Sequence, residues 1–236
     1  MPKSLKIYIF LLVLIFIGII WADATKERPI DWRESYSLNE KIPFGLYVFN
    51  QEHKAIFKPQ TVEKFSESPY EFLDKNYNTY DSIYDIEGTI LLIQNKAAID
   101  EFSENELFYF ASHRNAIFYS NSNFSEKFAD SLGFEIEYSN DFADSLQFKI
   151  NRNQKAGNFY FNKGINTAYF SKIDSSKTEV LGTQINSKGE EFANFIKVKH
   201  LNGNFYLHLQ PVAFTNYYLL NKNSQYTEDI LGYIPS

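Results

Sequence analysis

The stretch HLQPVAFTNYYLL, residues 208–220, holds the side chains best suited to chemistry: the imidazole of His208 and the hydroxyl and amide of Thr215 and Asn216. Just upstream, Asn202-Gly203 in EFANFIKVKHLNGNFYLHLQP has the composition of a type I′ turn. That turn sets Leu201 opposite Asn204 and pairs two strands outward from there. In this register Ile196, Val198 and His200 share a face with Phe205, Leu207 and Leu209, while Lys197 and Lys199 share the other with Tyr206 and His208. Neighbouring cations hold an imidazole below its ordinary pKa and attract anions. Lys197, Lys199 and His208 are therefore candidate anion ligands, against the plainer reading of a solvated strand face. Pro211 takes the chain out of the sheet. Thr215 or Asn216 then caps a helix that packs through Tyr217, Leu219 and Leu220. Open α/β sheets bind ligands at the carboxyl ends of their strands, so Thr215 and Asn216 join the candidate ligand-binding residues, with a structural role first.

Other chemistries find no foothold. The chain has no G-x-S-x-G elbow, H-E-x-x-H, G-x-G-x-x-G or phosphate-loop spacing. With no cysteine it has no thiolate nucleophile, thiolate metal site or disulfide. The four histidines are His53, His113, His200 and His208; none has an acidic or histidine partner at ligand spacing, and the last two project to opposite faces of the hairpin. Glu135 and Glu137 alternate along a strand and suit a cation or a sugar, or simply water; Asp141 and Asp144 flank the second copy of FADSL. The repeat FADSLGF (128–134) and FADSLQF (142–148) changes setting, helical in the first copy and strand-forming in the second, so it is not read as a functional tandem. No catalytic residue, metal or cofactor is expected.

These residues must be positioned by a mixed architecture. Apolar positions recur at helical spacing from Phe44 to Lys58, where Pro59 stops the helix, and SPYEFLDKNY predicts a second short one. GTILLIQ (88–94) and NAIFYS (115–120) are continuous apolar runs, the mark of buried parallel strands. Ser103-Glu104-Asn105-Glu106 reads as a capping box opening a helix between them, and SEKFADSLGF predicts a helix ended by Gly133. Strand, helix, strand, helix is the rhythm of a parallel α/β sheet. From residue 134 onward, short runs separated by Gly, Asn, Asp and Ser predict antiparallel strands, with helical spacing returning after Pro211.

The N-terminus puts Lys3 and Lys6 ahead of an unbroken apolar run, Ile7 to Ala22, followed by a polar lead-in over 23–43. Sixteen helical residues cover roughly 24 Å of a hydrocarbon core of about 30 Å. Trp21 suits the far interface and the lysines the cytoplasmic side, leaving 1–6 in the cytoplasm, 7–22 in the membrane and a domain over 44–236 outside it. The run is read as an uncleaved anchor; Ala22-Asp23-Ala24 as a cleavage site is the alternative, and both export the rest of the chain. The net charge of −6 becomes more negative once Lys3, Lys6 and Asp23 are set aside, so nucleic acid is a poor partner.

Several segments, in order, resemble a bacterial family of unknown function, the DUF4350 domain proteins, particularly the Bacteroidota form. They are the anchor, DWRESYSLNEKIPFGLYVF, SENELFYFASHRNAIFYSNSNF, GINTAYFSKIDSSKTEVLGTQ and GNFYLHLQPVAFTNYYLLNKNSQYTEDILGYIP. The resemblance implies an α/β fold similar to class I glutamine amidotransferases (flavodoxin-like) with an added antiparallel part. It also implies a periplasm-facing inner-membrane protein linked to MoxR-type ATPase systems. Two departures stand out. The amidotransferase triad needs a cysteine that this chain lacks. Family members also commonly continue past the Gly-Tyr-Ile-Pro point to a further membrane segment, so a shortened member and an incomplete sequence both stay open. The expected function is a non-enzymatic scaffold or binding domain for an envelope protein or small ligand. The alternatives are a hydrolase or transferase with a non-cysteine nucleophile near Thr215 and Asn216, and a carbohydrate binder using its aromatics.

Overall fold

Between Lys6 and Asp23 the chain carries no charge, and it forms α1 (Lys3–Ala24), 22 residues with no buried side chain. At 1.5 Å per residue this is about 33 Å, enough to cross a bilayer's hydrocarbon core; one helix among the described residues is long and apolar enough to do so. The structure is a computed structural model describing residues 2–27, 29–95, 99–139, 145–151, 157–221 and 223–235. It divides into two units, Met1–Asp31 and Trp32–Ser236.

The folded body thus starts at Trp32, inside the segment expected to be a linker. Trp32 packs on Phe44 and Tyr217 at ring-centroid distances of 5.5 and 5.4 Å, and the Tyr36 amide donates to Phe44 O at 3.1 Å. Two short helices follow, α2 (Tyr47–Ile56) and α3 (Pro69–Lys75), the latter opened by a capping box between Ser68 and Glu71. A two-stranded ribbon, β1 (Tyr77–Asn78) and β2 (Ile83–Tyr84), stands apart from the main sheet.

The main sheet is mixed, curled and nine-stranded. Its parallel part is β3 (Thr89–Ile93), β4 (Ala116–Ser120) and β11 (Gly203–His208), in that order. The crossover from β3 to β4 is α4 (Glu101–Ser112), and α5 (Glu126–Leu132) leads on to β5 (Phe134–Tyr138). α5 ends at Gly133 with φ +75°, as its sequence predicts. The antiparallel part is β10 (Glu191–His200), β9 (Thr178–Ile185), β6 (Leu146–Ile150) and β7 (Gly157–Phe161), while β8 (Ala168–Ile173) joins β5 to β10. A 3-10 turn (Pro211–Phe214), α6 (Asn216–Leu219) and α7 (Ser224–Leu231) close the body.

All five residues of β4 are buried because both faces of the sheet are covered. Phe118 turns to one cluster with Phe49, Phe195, Phe214 and Tyr226. Ile117 and Tyr119 turn to the other with Leu107, Phe128, Phe205 and Leu207. A buried Phe contributes about 2–3 kcal/mol. The half-exposed Lys127–Glu101 pair at 2.7 Å contributes at most about 1 kcal/mol, so packing decides stability.

Two local expectations are corrected. α4 is capped by Asp100, whose side chain accepts from the Ser103 amide at 3.0 Å; Ser103 lies inside the helix and takes the Tyr70 amide at 3.2 Å. Asp100 stands immediately before the helix with extended backbone, the position from which a side chain reaches the first orphan amides, whereas Ser103 is already in the first turn. The hairpin turn falls on Leu201–Asn202, with His200 paired to Gly203, one position earlier than the Asn-Gly pair suggests. Gly203 is needed in the strand instead: a Cβ there would lie 2.1 Å from Ala111 O and 2.2 Å from Asn115 O. Leu201 accordingly takes the left-handed conformation, φ +51°. The shift moves each partner by two residues, so the two faces of the hairpin keep their expected residues. Of the second FADSL copy, residues 142–144 lie outside the described residues, as do Asp141 and Asp144; its tail forms β6 whereas the first copy lies in α5.

Gly203→Ala should destabilise the domain by about 1–3 kcal/mol through overpacking. Urea unfolding of the variant against wild type reads this, and an unchanged midpoint would refute the close approach.

Candidate functional site

The carboxyl ends of β4 and β11 lie side by side, Ser120 opposite His208. There a row of polar side chains runs through the interior. Ser120 Oγ is 2.8 Å from His208 Nδ1, His208 Nε2 is 3.1 Å from the Tyr226 hydroxyl, and Asn194 Nδ2 donates to that hydroxyl at 3.2 Å. Asn194 reaches the row because β10 is bulged against β9 there, the register slipping between Ala193 and Phe195. A bulge re-aims one side chain without disturbing the rest of the strand. All four residues are fully buried.

Both bonds of the imidazole go to hydroxyls, and a hydroxyl both donates and accepts, so the row closes with the proton on either ring nitrogen. With the proton on Nε2, Nδ1 faces the Ser120 hydroxyl as an acceptor, the arrangement a serine nucleophile needs; with it on Nδ1, the hydroxyl is the acceptor. Burial alone pushes His208 down to about 3 and the Tyr226 phenol up. The direction for His208 is the one the lysines suggested, but its cause is desolvation.

Lys197 and Lys199 do stand on the His208 face of the hairpin, paired with Tyr206 and Asn204. Lys199 is exposed and Lys197 half-buried with its ammonium 5.9 Å above the Tyr206 ring. The imidazole, at 0% exposure, shares no open surface with them. Thr215 and Asn216 are buried too. Thr215 precedes α6 but turns its hydroxyl back to Val212 O at 2.6 Å instead of capping the helix. Asn216 spends its amide on the lead-in and the start of α2: Oδ1 takes the Val48 amide at 2.7 Å, and Nδ2 donates to Glu40 O at 2.9 Å and Ile42 O at 2.7 Å. Gly45 passes close by; a Cβ there would meet Glu40 O at 2.1 Å. Gln210 clamps the β7–β8 loop in the same way, donating to Asn166 O at 2.6 Å and accepting from the Asn166 amide.

The loops after β3 and β4 add a second polar layer. Tyr119 hydroxyl accepts from Asn121 Nδ2 at 2.9 Å and from Gln94 Nε2. Ser122 Oγ donates to Asn95 Oδ1 at 2.6 Å, and Asn95 Nδ2 to Glu34 at 2.6 Å. A hollow of about 210 Å³ beside this layer is lined by Asn123, Phe124, Glu126, Ala129, Ile136 and Tyr138. A wider depression of about 780 Å³ lies at the opposite, amino ends of the parallel strands, between His113, Arg114 and the Leu201–Asn202 turn. The other histidines are held singly: His53 donates from Nδ1 to Asn50 O, His113 sits between Tyr109 O and Ser82 O, and His200 packs against Phe108 and Phe205. Among the described residues no three ligating groups converge on a metal position. Glu135 and Glu137 bond Lys172 and Tyr169.

Sequence reasoning missed Ser120, Tyr226 and Asn194. Ser120 carried a readable signal, standing at the polar end of an apolar parallel run. Tyr226 and Asn194 did not, because a bulge and a late helix bring them in.

No family model matches the chain, and no curated protein matches it. Among solved structures it is similar to an exo-β-1,4-mannosidase from Opitutaceae bacterium strain TAV5, at 12% identity and TM-score 0.44 over 63% of this chain and 25% of that one. It is similar to a GH42 β-galactosidase from G. stearothermophilus at 9% and 0.42, over 88% and 30%. A cytoplasmic protein from Salmonella typhimurium gives 10% and 0.40, over 72% and 76%. The chain spans about a quarter of the first of these. Likenesses this distant carry neither fold nor activity across.

Asn216→Ala should cost about 1–3 kcal/mol, since it leaves the Val48 amide and the Glu40 carbonyl unpaired while Ile42 O keeps the Gly45 amide; thermal unfolding measures it, and a near-neutral change would refute the clamp. A second outcome concerns pH. Unfolded His208 takes up a proton near pH 6.5, while the folded imidazole stays neutral down to about 3. Its stabilising effect is therefore complete above pH 6.5 and is lost on acidification, by up to about 1.4 kcal/mol per pH unit. His208→Gln should flatten urea-unfolding stability between pH 6.5 and 5, and an unaltered slope would place the titration elsewhere.

Proposed function

We propose that the protein is a single-pass, membrane-anchored envelope protein whose domain, on an amidotransferase-like α/β core of the DUF4350 kind, binds another envelope protein or a small ligand and performs no reaction of its own. The inner membrane is its location, with the domain on the periplasmic side, and a MoxR-type ATPase system supplies the partner. The anchor reading is supported by α1, and the fold reading by the β3–β4–β11 parallel part with helices on both faces. One observation carries the functional reading. The Ser120–His208–Tyr226–Asn194 row stands where α/β sheets usually meet ligands, yet it is buried end to end and its members bond one another, with Asn194 Oδ1 left over. Recognition then belongs to the surface.

A second reading has one observation in its favour: Ser120 Oγ and His208 Nδ1 at 2.8 Å are a hydroxyl and an imidazole within reach. It is a hydrolase with a serine nucleophile, moved from Thr215 and Asn216 to β4.

Cross-linking in native membranes, then purification of the anchored chain, separates the two. A stoichiometric partner that persists in Ser120→Ala, with no fluorophosphonate labelling of wild type, is the expected result. Labelling that disappears in Ser120→Ala, with no partner above background, would replace the binding reading by the hydrolase.

A further inference from the structure

Backbone conformations that side chains disfavour gather at one place. Four described non-glycine residues take left-handed backbone: Tyr36, Ser82, Arg114 and Leu201. Arg114 (φ +70°) and Leu201 (φ +51°) line the depression of about 780 Å³ at the amino ends of the parallel strands, and Ser82 (φ +54°) directly precedes Ile83 of the same lining. Hairpin turns give this backbone to Gly, Asn or Asp, because a larger side chain crowds the following carbonyl. Leu201 adopts it and yet stays 68% exposed, so burial does not offset the strain; Ile83 is 49% exposed. Strain and exposed apolar surface at one depression point to a role outside the folded chain.

The charge there is positive. Arg114 is exposed, and among the described residues its guanidinium has no hydrogen-bonding or ionic partner. An arginine just past a helix end ordinarily serves the last carbonyls of that helix. At the end of α4 other groups hold them. Tyr109 O accepts from Ser112 Oγ at 2.6 Å, Phe110 O from Asn115 Nδ2 at 3.1 Å, and Ser112 O from Asn202 Nδ2 at 3.1 Å. His113 is occupied as well: Nδ1 lies 2.8 Å from Tyr109 O and Nε2 3.2 Å from Ser82 O, so the ring stands between α4 and the β1–β2 ribbon. Arg114 is thus the cation left over, and no acidic side chain lines the depression, in a protein of net charge −6.

We propose that this depression binds a small organic monocarboxylate carrying one apolar group, with the carboxylate on the Arg114 guanidinium and the apolar group against Leu201 and Ile83. A planar guanidinium meets a carboxylate through two parallel N–H···O bonds. One carboxylate matches one cation. A phosphate or a polyanion brings more charge than a single arginine offsets, and the acidic body repels the excess. The apolar group takes the exposed surface of Leu201 and Ile83 out of water, which the fold does not do. The volume lies within the range of small-molecule sites, about 300–1,000 Å³. This names a ligand class for the surface recognition proposed above and rests on that reading.

The probe is phenylacetate, set against phenylacetamide, which keeps the ring without the charge, and acetate, which keeps the charge without the ring. Calorimetric titration of the full-length protein in detergent should show saturable binding of phenylacetate and at least about tenfold weaker binding of the other two. Arg114→Gln should bring phenylacetate down to the level of phenylacetamide with the urea-unfolding midpoint unchanged. Leu201→Asn separates a binding role from a structural one. Asn takes left-handed backbone and exposure more easily than Leu, so this variant should unfold at higher urea than wild type and yet bind phenylacetate more weakly. The wild-type comparison of acid and amide decides even where a variant does not fold. Equal binding of acid and amide, no saturable binding of phenylacetate, binding unchanged in Arg114→Gln, or a Leu201→Asn variant less stable than wild type would each overturn the proposal. A cross-linked partner that persists while phenylacetate fails to bind removes this site alone and leaves the binding reading standing.

Discussion

Burial of the parallel strands on both faces is the constraint on which most of the structure depends. Once β4 has no exposed residue, every polar group where the strands end must be satisfied by the protein itself, because a buried donor or acceptor left alone costs about 1–3 kcal/mol. The chain answers with side-chain amides. Asn216 closes the lead-in against the strand exits, Gln210 and Asn166 close the β7–β8 loop, and Asn121 and Gln94 close the ends of β4 and β3 around Tyr119. Asn and Gln suit this work because one group both donates and accepts and stays neutral in a low dielectric. The same constraint fills the place where an α/β sheet would otherwise leave a crevice.

How much of this was legible depended on the range of the interaction. β3, β4, α5 and the β10–β11 hairpin were readable because their signals are local: apolar runs, a Gly133 cap, an alternation that survives an even shift of register. The exact turn was not, since Gly203 answers to the carbonyls of Ala111 and Asn115, far away in sequence. The lead-in misled for the same reason. Residues 32–43 look polar and linker-like, yet Trp32 is held by Phe44 and Tyr217 and the backbone by an amide at position 216. Of the candidate site residues, His208, Thr215 and Asn216 were rightly placed at a strand exit. That they face inward was invisible, because a 3-10 turn, α6 and α7 fold back over them only in three dimensions.

The His208 row contributes uniqueness more than energy. An apolar side chain of similar size would avoid the desolvation cost altogether, and exchanging a whole set of buried partners for apolar ones is often nearly neutral. A hydrogen-bonded row is less forgiving of arrangement. Ser120 comes from β4, His208 from β11, Asn194 from β10 and Tyr226 from α7, and their contacts close only when the Asn194 bulge sits where it does. Sliding β10 by one residue would withdraw the Asn194 amide from Tyr226 and point an apolar neighbour at a buried hydroxyl, a penalty that packing alone would not impose. The row therefore couples the parallel part of the sheet to its antiparallel part through one set of bonds. It fixes the register at the point where the sheet changes from one kind of pairing to the other.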